Sequence, residues 1–176
     1  MGLFGFFKKK NAVSPADVKI ELADDRIVIN GKSVDIPAHI NVLTAILGKP
    51  RATAGPKDNP IDKELISKPT NYTWDSLGVY CYTKNGSVIF CFGIRLNEGD
   101  ICPKHFPSEF FSGTVTINGM PWYEAVRTLP NIEKDIPFFK KIALGGYSAV
   151  IEYVDFEADP DSRTQKDYTS IEIQLL

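Results

Sequence analysis

Residues 74–96, WDSLGVYCYTKNGSVIFCFGIRL, constrain the fold more than any other stretch. Two apolar runs flank Asn85-Gly86, a dipeptide that can hold φ > 0 at both central positions of a type I′ turn. The stretch therefore reads as a β-hairpin. A two-residue turn sets Lys84 opposite Ser87, Tyr82 opposite Ile89 and Tyr80 opposite Cys91. One face then carries Val79, Cys81, Val88, Phe90 and Phe92, and the other carries Tyr80, Tyr82, Ile89 and Cys91. Both faces are apolar, which places the hairpin centrally in a sheet covered on two sides. In this register Cys81 and Cys91 point to opposite faces and do not bridge; a three-residue turn with a bulge would bring them to one face. Cys102 is left over, so buried, reduced thiols are expected.

Around this hairpin the chain reads as short strands and few helices. Strands are expected at 18–22, 26–29 and 33–36, with a second Asn-Gly turn at Asn30-Gly31. Asn41 is placed to cap a helix over 42–47, which Gly48 and Pro50 end. Residues 51–72 read as a long irregular segment with a short helix around 61–66, and 97–111 as another irregular stretch. A strand at 113–117, the turn Asn118-Gly119 and a return at 120–124 follow. Residues 130–141 can hold one or two helical turns interrupted at Pro137. Strands at 147–156 and 168–176 enclose an acidic loop at 157–167. Residues 28–47 and 116–135 can both be read as strand, Asn-Gly, strand, link and helix. That suggests ββ-α-ββ twice on one antiparallel sheet, against the alternative that Asn-Gly hairpins recur by chance. The expected class is α+β, an antiparallel sheet of hairpins with few short helices. The expected organisation is a tail and linker over 1–16 and one domain over 17–176, with pseudo-repeats 17–96 and 97–176.

Charge narrows the partners. The formal charge is −2, and removing Lys8, Lys9 and Lys10 leaves the remainder at −5. A mildly acidic body lacks the basic face that nucleic acid requires, but leaves a basic protein partner open. No apolar run approaches the roughly 20 residues that cross a bilayer. At the N-terminus, MGLFGFFKKK, the basic cluster follows a short apolar run, the reverse of a secretory signal, and Phe6 breaks the myristoylation pattern. A cytoplasmic address is expected. The patch from Met1 to Lys10 could lie on an anionic membrane surface, though a frayed terminus is the preferred reading.

Motifs for chemistry are incomplete. Cys102-Pro103-Lys104-His105 supplies two metal ligands by spacing, but a structural zinc takes four, and only His39, Cys81 and Cys91 remain. No metal or other cofactor is expected. Residues 146–150, GYSAV, have valine where a nucleophile elbow needs glycine. Gly31-Lys32-Ser33 is a hairpin turn without the start of a phosphate loop. Asp159-Pro160-Asp161 begins like a calcium loop, but Arg163 holds the third ligand position. The acidic residues Asp155, Glu157, Asp159 and Asp161, extended by Glu98 and Asp100, read either as a solvated loop or as a docking surface for a basic partner. Trp74 reads as a core plug or, beside a long loop, as an interface anchor. Asp75 next to it reads as a turn former or a cap.

Residues 27–50, IVINGKSVDIPAHINVLTAILGKP, and 72–83, YTWDSLGVYCYT, resemble a family of bacterial cytoplasmic proteins. Its members combine an ING hairpin, a short helix ending in LGKP and a W-D-x-L-G strand. VLTAILGKP is also similar to the helix and turn of BamE-like and β-lactamase-inhibitor-like α+β modules, without the lipoprotein signal of the former. The resemblance implies partner binding, as an immunity protein that neutralises a bacterial toxin, and carries no catalytic residues. The alternatives are an enzyme using Cys102 and His105, or a peripheral membrane protein anchored by residues 1–10.

Overall fold

The computed structural model describes residues 13–24, 26–54, 70–98, 106–133, 139–153 and 162–176. It is an α+β fold of antiparallel hairpins with two short helices among the described residues. The strands are β1 (Lys19–Ala23), β2 (Arg26–Ile29), β3 (Lys32–Val34), β4 (Ala38–His39), β5 (Arg51–Ala54), β6 (Thr70–Trp74), β7 (Val79–Lys84) and β8 (Val88–Arg95) in the first half. In the second half they are β9 (Thr114–Ile117), β10 (Met120–Pro121), β11 (Phe139–Leu144), β12 (Tyr147–Tyr153) and β13 (Tyr168–Leu175). The helices are α1 (Asn41–Leu47) and α2 (Trp122–Thr128).

The strands form two sheets, not the single sheet expected. The smaller runs β10-β9-β1-β2-β3, and the larger β11-β12-β13-β8-β7-β6-β5 with β4 paired to β8. The β1–β9 pair is parallel, Ile20 facing Val115 and Leu22 facing Ile117. Alternation in β1 buries Ile20 and Leu22 and exposes Lys19 and Glu21, as a half-buried strand requires. The buried faces of both sheets share one core, with Ile20, Ile27 and Ile29 from the smaller and Val79, Phe92, Ile94, Ile151 and Ile171 from the larger. Leu43, Ile46 and Leu47 of α1 and Ala125 and Val126 of α2 complete it. In the larger sheet the meander β6-β7-β8 meets the meander β11-β12-β13 at the antiparallel pair β8–β13. In the smaller sheet the hairpins β2–β3 and β9–β10 lie on either side of β1.

All three Asn-Gly turns form, with φ of 51°, 53° and 50° at Asn30, Asn85 and Asn118. The central hairpin departs from the expected register. Lys84 faces Val88 rather than Ser87, and Thr83 faces Ile89. Phe90 is then an extra residue, so that Tyr82 faces Cys91 and Tyr80 faces Gly93. One such shift would put Cys81 and Cys91 on the same face; the second restores parity. Cys81 joins the core between the sheets, and both thiols are free and buried. Val88 and Phe90 leave the face expected for them: Val88 is 39% exposed, and Phe90 stacks on Tyr82 on the outer face. Ile89 takes the core position instead.

Four further expectations are corrected. Asn41 does not cap α1; Ile40 holds the cap position, and the Asn41 N–H donates to His39 Nδ1 at 3.2 Å. The ends of the 51–72 segment are strands β5 and β6, paired with Arg51 opposite Thr73. The return strand at 120–124 stops at Pro121, and α2 begins at Trp122. Glu124 in its first turn, Arg127 in its last and the buried Ala125 and Val126 are ordinary helix signals that the aromatic run Trp122-Tyr123 obscured. In 130–141, Phe139 starts strand β11 where a helix was expected, and 134–138 lie outside the described residues, as does 61–66.

Candidate functional site

Gly48, at φ 91°, ends α1 and turns the chain into β5, an edge strand of the larger sheet. Beside it β6 ends at Trp74, a 3-10 turn spans Asp75–Leu77, and Gly78 at φ 68° redirects the chain into β7. A side chain at Gly78 would strike the Phe110–Phe111 backbone, so glycine is required there both by conformation and by close approach. Between these two corners opens a cleft of about 840 Å³.

Trp74 forms part of the cleft wall and is 3% exposed. Its indole N–H donates to the Gly48 carbonyl at 2.8 Å, joining the LGKP and W-D-x-L-G segments. Arg51 and Asp75 form a two-pronged ion pair: Nε reaches Oδ2 at 2.7 Å and Nη2 reaches Oδ1 at 2.8 Å. Nη1 donates to Thr53 Oγ1 at 3.0 Å, Nη2 to the Phe106 carbonyl at 3.2 Å, and the Ser108 N–H donates to Asp75 Oδ1 at 3.2 Å. The Arg51 hydrogen bonds hold the Asp75 carboxyl below its ordinary range, assisted by Ser108, and Asp75 raises the Arg51 guanidinium. Both groups keep their charges across the neutral range. Lys32 and Lys49 line the same cleft, with Val13, Ile46, Leu47 and Leu77 as its apolar part.

A second polar cluster lies on the outer face of the larger sheet. Tyr80 Oη donates to Glu172 Oε1 at 2.8 Å, Gln174 Nε2 donates to Glu172 Oε2 at 3.0 Å, and Ser170 Oγ donates to Glu152 Oε2 at 2.8 Å. Burial raises the Glu172 carboxyl above its ordinary value. Burial also pushes the Cys81 thiol up to about 12 and, joined by the Glu172 charge, holds Cys91 well above the ordinary thiol. Both shifts disfavour the thiolate, the form in which a cysteine is nucleophilic.

Of the residues singled out in the sequence, Trp74 is packed into the core and Glu98 is exposed beyond the end of β8. Both belong to the same end of the sheet, where Trp74 faces Val79 and Val79 faces Ile94. Asp100, Asp155, Glu157, Asp159, Asp161, Cys102, His105 and residues 1–10 lie outside the described residues. No group of three His, Cys, Asp or Glu side chains placed to hold a metal ion occurs among the described residues. Sequence reading missed Arg51, because its segment seemed irregular and its partner is 24 residues away.

No curated protein and no solved structure matches the chain. A family match spans residues 19–128 and so includes Gly48, Arg51, Trp74, Asp75 and Gly78, the framework of the cleft. The chain belongs to the family described as Domain of unknown function (DUF7738).

Proposed function

We propose that the protein is a non-catalytic binding module of the immunity type, a bacterial cytoplasmic protein that captures and neutralises a cognate toxin domain. The observation that carries this reading is the Arg51–Asp75 pair. Its charges are held in place by three parts of the chain, Arg51 on β5, Asp75 after β6 and the backbone of Phe106 and Ser108, before any partner arrives. Its protonation states are driven away from neutrality, which suits recognition and not proton transfer. The high thiol values of Cys81 and Cys91 support the same reading. In it, the cleft seats the partner and the acidic residues Glu98, Asp100, Asp155, Glu157, Asp159 and Asp161 steer a basic surface toward it.

The test is co-purification of the tagged full chain with the product of the adjacent gene. A stoichiometric complex that survives moderate salt is the expected result. Cleft variants such as Arg51→Ala should speed dissociation, whereas neutralising the six acidic residues should slow association and weaken its salt dependence. Recovery of the protein alone, with cells unprotected from the neighbouring product, would reject the proposal.

A further inference from the structure

A groove of about 440 Å³ opens on the outer face of the larger sheet, where β7, β8 and β13 run side by side. The extra residue in β8 shapes it: the bulge turns Phe90 outward to stack on Tyr82, with ring centres 6.3 Å apart. Leu175, 46% exposed, adds a third apolar side chain. Two opposite charges line the same groove, the exposed Lys84 and the half-buried Glu172. Lys84 Nζ lies 5.9 Å from the centre of the Phe90 ring. Glu172 is fixed by neutral donors: the Tyr80 hydroxyl on Oε1, and Gln174 and the Cys91 thiol on Oε2. Oε1 thus has a lone pair to spare. Glu152 stands diagonally across the same face, two residues beyond Val150, which faces Glu172. Its donor, Ser170, is neutral as well. Neither Lys84 nor Glu172 forms an ion pair among the described residues.

A sheet face can carry a carboxylate for structural reasons, and the bond from the buried Tyr80 gives Glu172 such a role. That role does not account for a cation and an anion left unpaired on one groove beside two aromatic rings. We propose that the groove binds the zwitterion of an α-amino acid with an apolar side chain. Glu172 Oε1 accepts from the ammonium, with the Glu152 charge in support. Lys84 donates to the carboxylate, and the apolar side chain lies on Phe90, Tyr82 and Leu175. The opposite charges of Glu172 and Lys84 set the direction in which the ligand lies. The volume falls in the range of small-molecule sites. The groove shares no lining residue with the Arg51 cleft, so its test is independent of the partner-binding reading.

The experiment is calorimetric titration of the full chain at neutral pH with L-phenylalanine. Phenethylamine and phenylpropionate, at matched ionic strength, are the comparison probes, because each keeps the ring and a single charge. Saturable one-site binding of phenylalanine is expected, at least about tenfold tighter than that of either comparison probe. Glu172→Gln should weaken it on the order of tenfold. Lys84→Met, at an exposed side chain, should weaken it roughly threefold. Lys19→Met, on the smaller sheet, should leave it unchanged. If circular dichroism shows that Glu172→Gln disturbs the fold, Lys84→Met alone gives the reading. Absence of saturable phenylalanine binding, equally tight binding of phenethylamine or phenylpropionate, or phenylalanine binding untouched by Lys84→Met would overturn the inference.

Discussion

The cleft at the end of α1 and the cleft at the end of α2 hold matching places in their halves of the chain. Each lies at the C-terminal end of a seven-residue helix, and each receives a cation from the next strand, Arg51 on β5 and Lys140 on β11. The two cations meet different fates. Arg51 is held by the Asp75 carboxylate, while Lys140 has a backbone carbonyl and no carboxylate partner among the described residues. In the first cleft the strand cation is thus balanced by a carboxylate, and in the second it caps the last turn of α2 through the Val126 carbonyl. Similar element order does not dictate similar electrostatics, because the pairing depends on which side chain the neighbouring corner delivers.

The sharpest way to break the comparison is to remove the wall of the first cleft. Trp74→Ala should destabilise the protein by about 3–5 kcal/mol, read from urea unfolding, since it empties a buried site and leaves the Gly48 carbonyl without its donor. A loss below about 1 kcal/mol would mean that the two motif segments are not held together through the indole.

The next effect is smaller. A double-mutant cycle on Arg51 and Asp75 should give a coupling of up to about 1 kcal/mol, because the side chains are 41% and 31% exposed and solvent screens them. Asp75 is depressed in the folded state, so its contribution is full above the ordinary carboxylate value of about 3.9 and is lost as pH falls through its lower folded value. Asp75→Asn should flatten that acid limb, and an unchanged limb would remove the ion pair from the account.

The smallest effect is expected at Lys140. Lys140→Met should change neutral-pH stability by no more than about 0.5 kcal/mol, because the charge it removes has no carboxylate partner among the described residues. The folded state disfavours the charged ammonium, so the unfolded chain binds more protons between the lowered Lys140 value and the ordinary value of about 10.4. Wild-type stability should rise relative to Lys140→Met across that alkaline window. A difference of the opposite sign would show Lys140 to be a stabilising charge and bring the two clefts together.

Much of the fold was legible locally. Asn-Gly marks a backbone with φ > 0, so the three turns could be read from dipeptides alone, and Gly48 ended α1 for the same kind of reason. Register was less legible. The extra residue Phe90 is set by how β8 pairs with β7, β13 and β4 together, and no dipeptide records that. Trp122 and Tyr123 carry strand propensity yet begin α2, since packing on β9 and the core outweighs a weak local preference. Of the candidate sites, Trp74 was visible as a large aromatic of core or interface type. The acceptor of its indole and the partner of Arg51 were not, because both lie more than 20 residues away in sequence.

By itself the sequence determined the class of fold, the positions of the turns and the reduced state expected of Cys81 and Cys91, all consequences of backbone sterics and short-range alternation. Only the tertiary structure decided that the strands divide into two sheets, that Gly48 meets Trp74, that Arg51 meets Asp75 and that Lys140 stands with Arg127 and Arg163. Those outcomes depend on long-range pairing, where the free energy comes from burying two apolar faces at once and the charged side chains take the partners that packing leaves within reach.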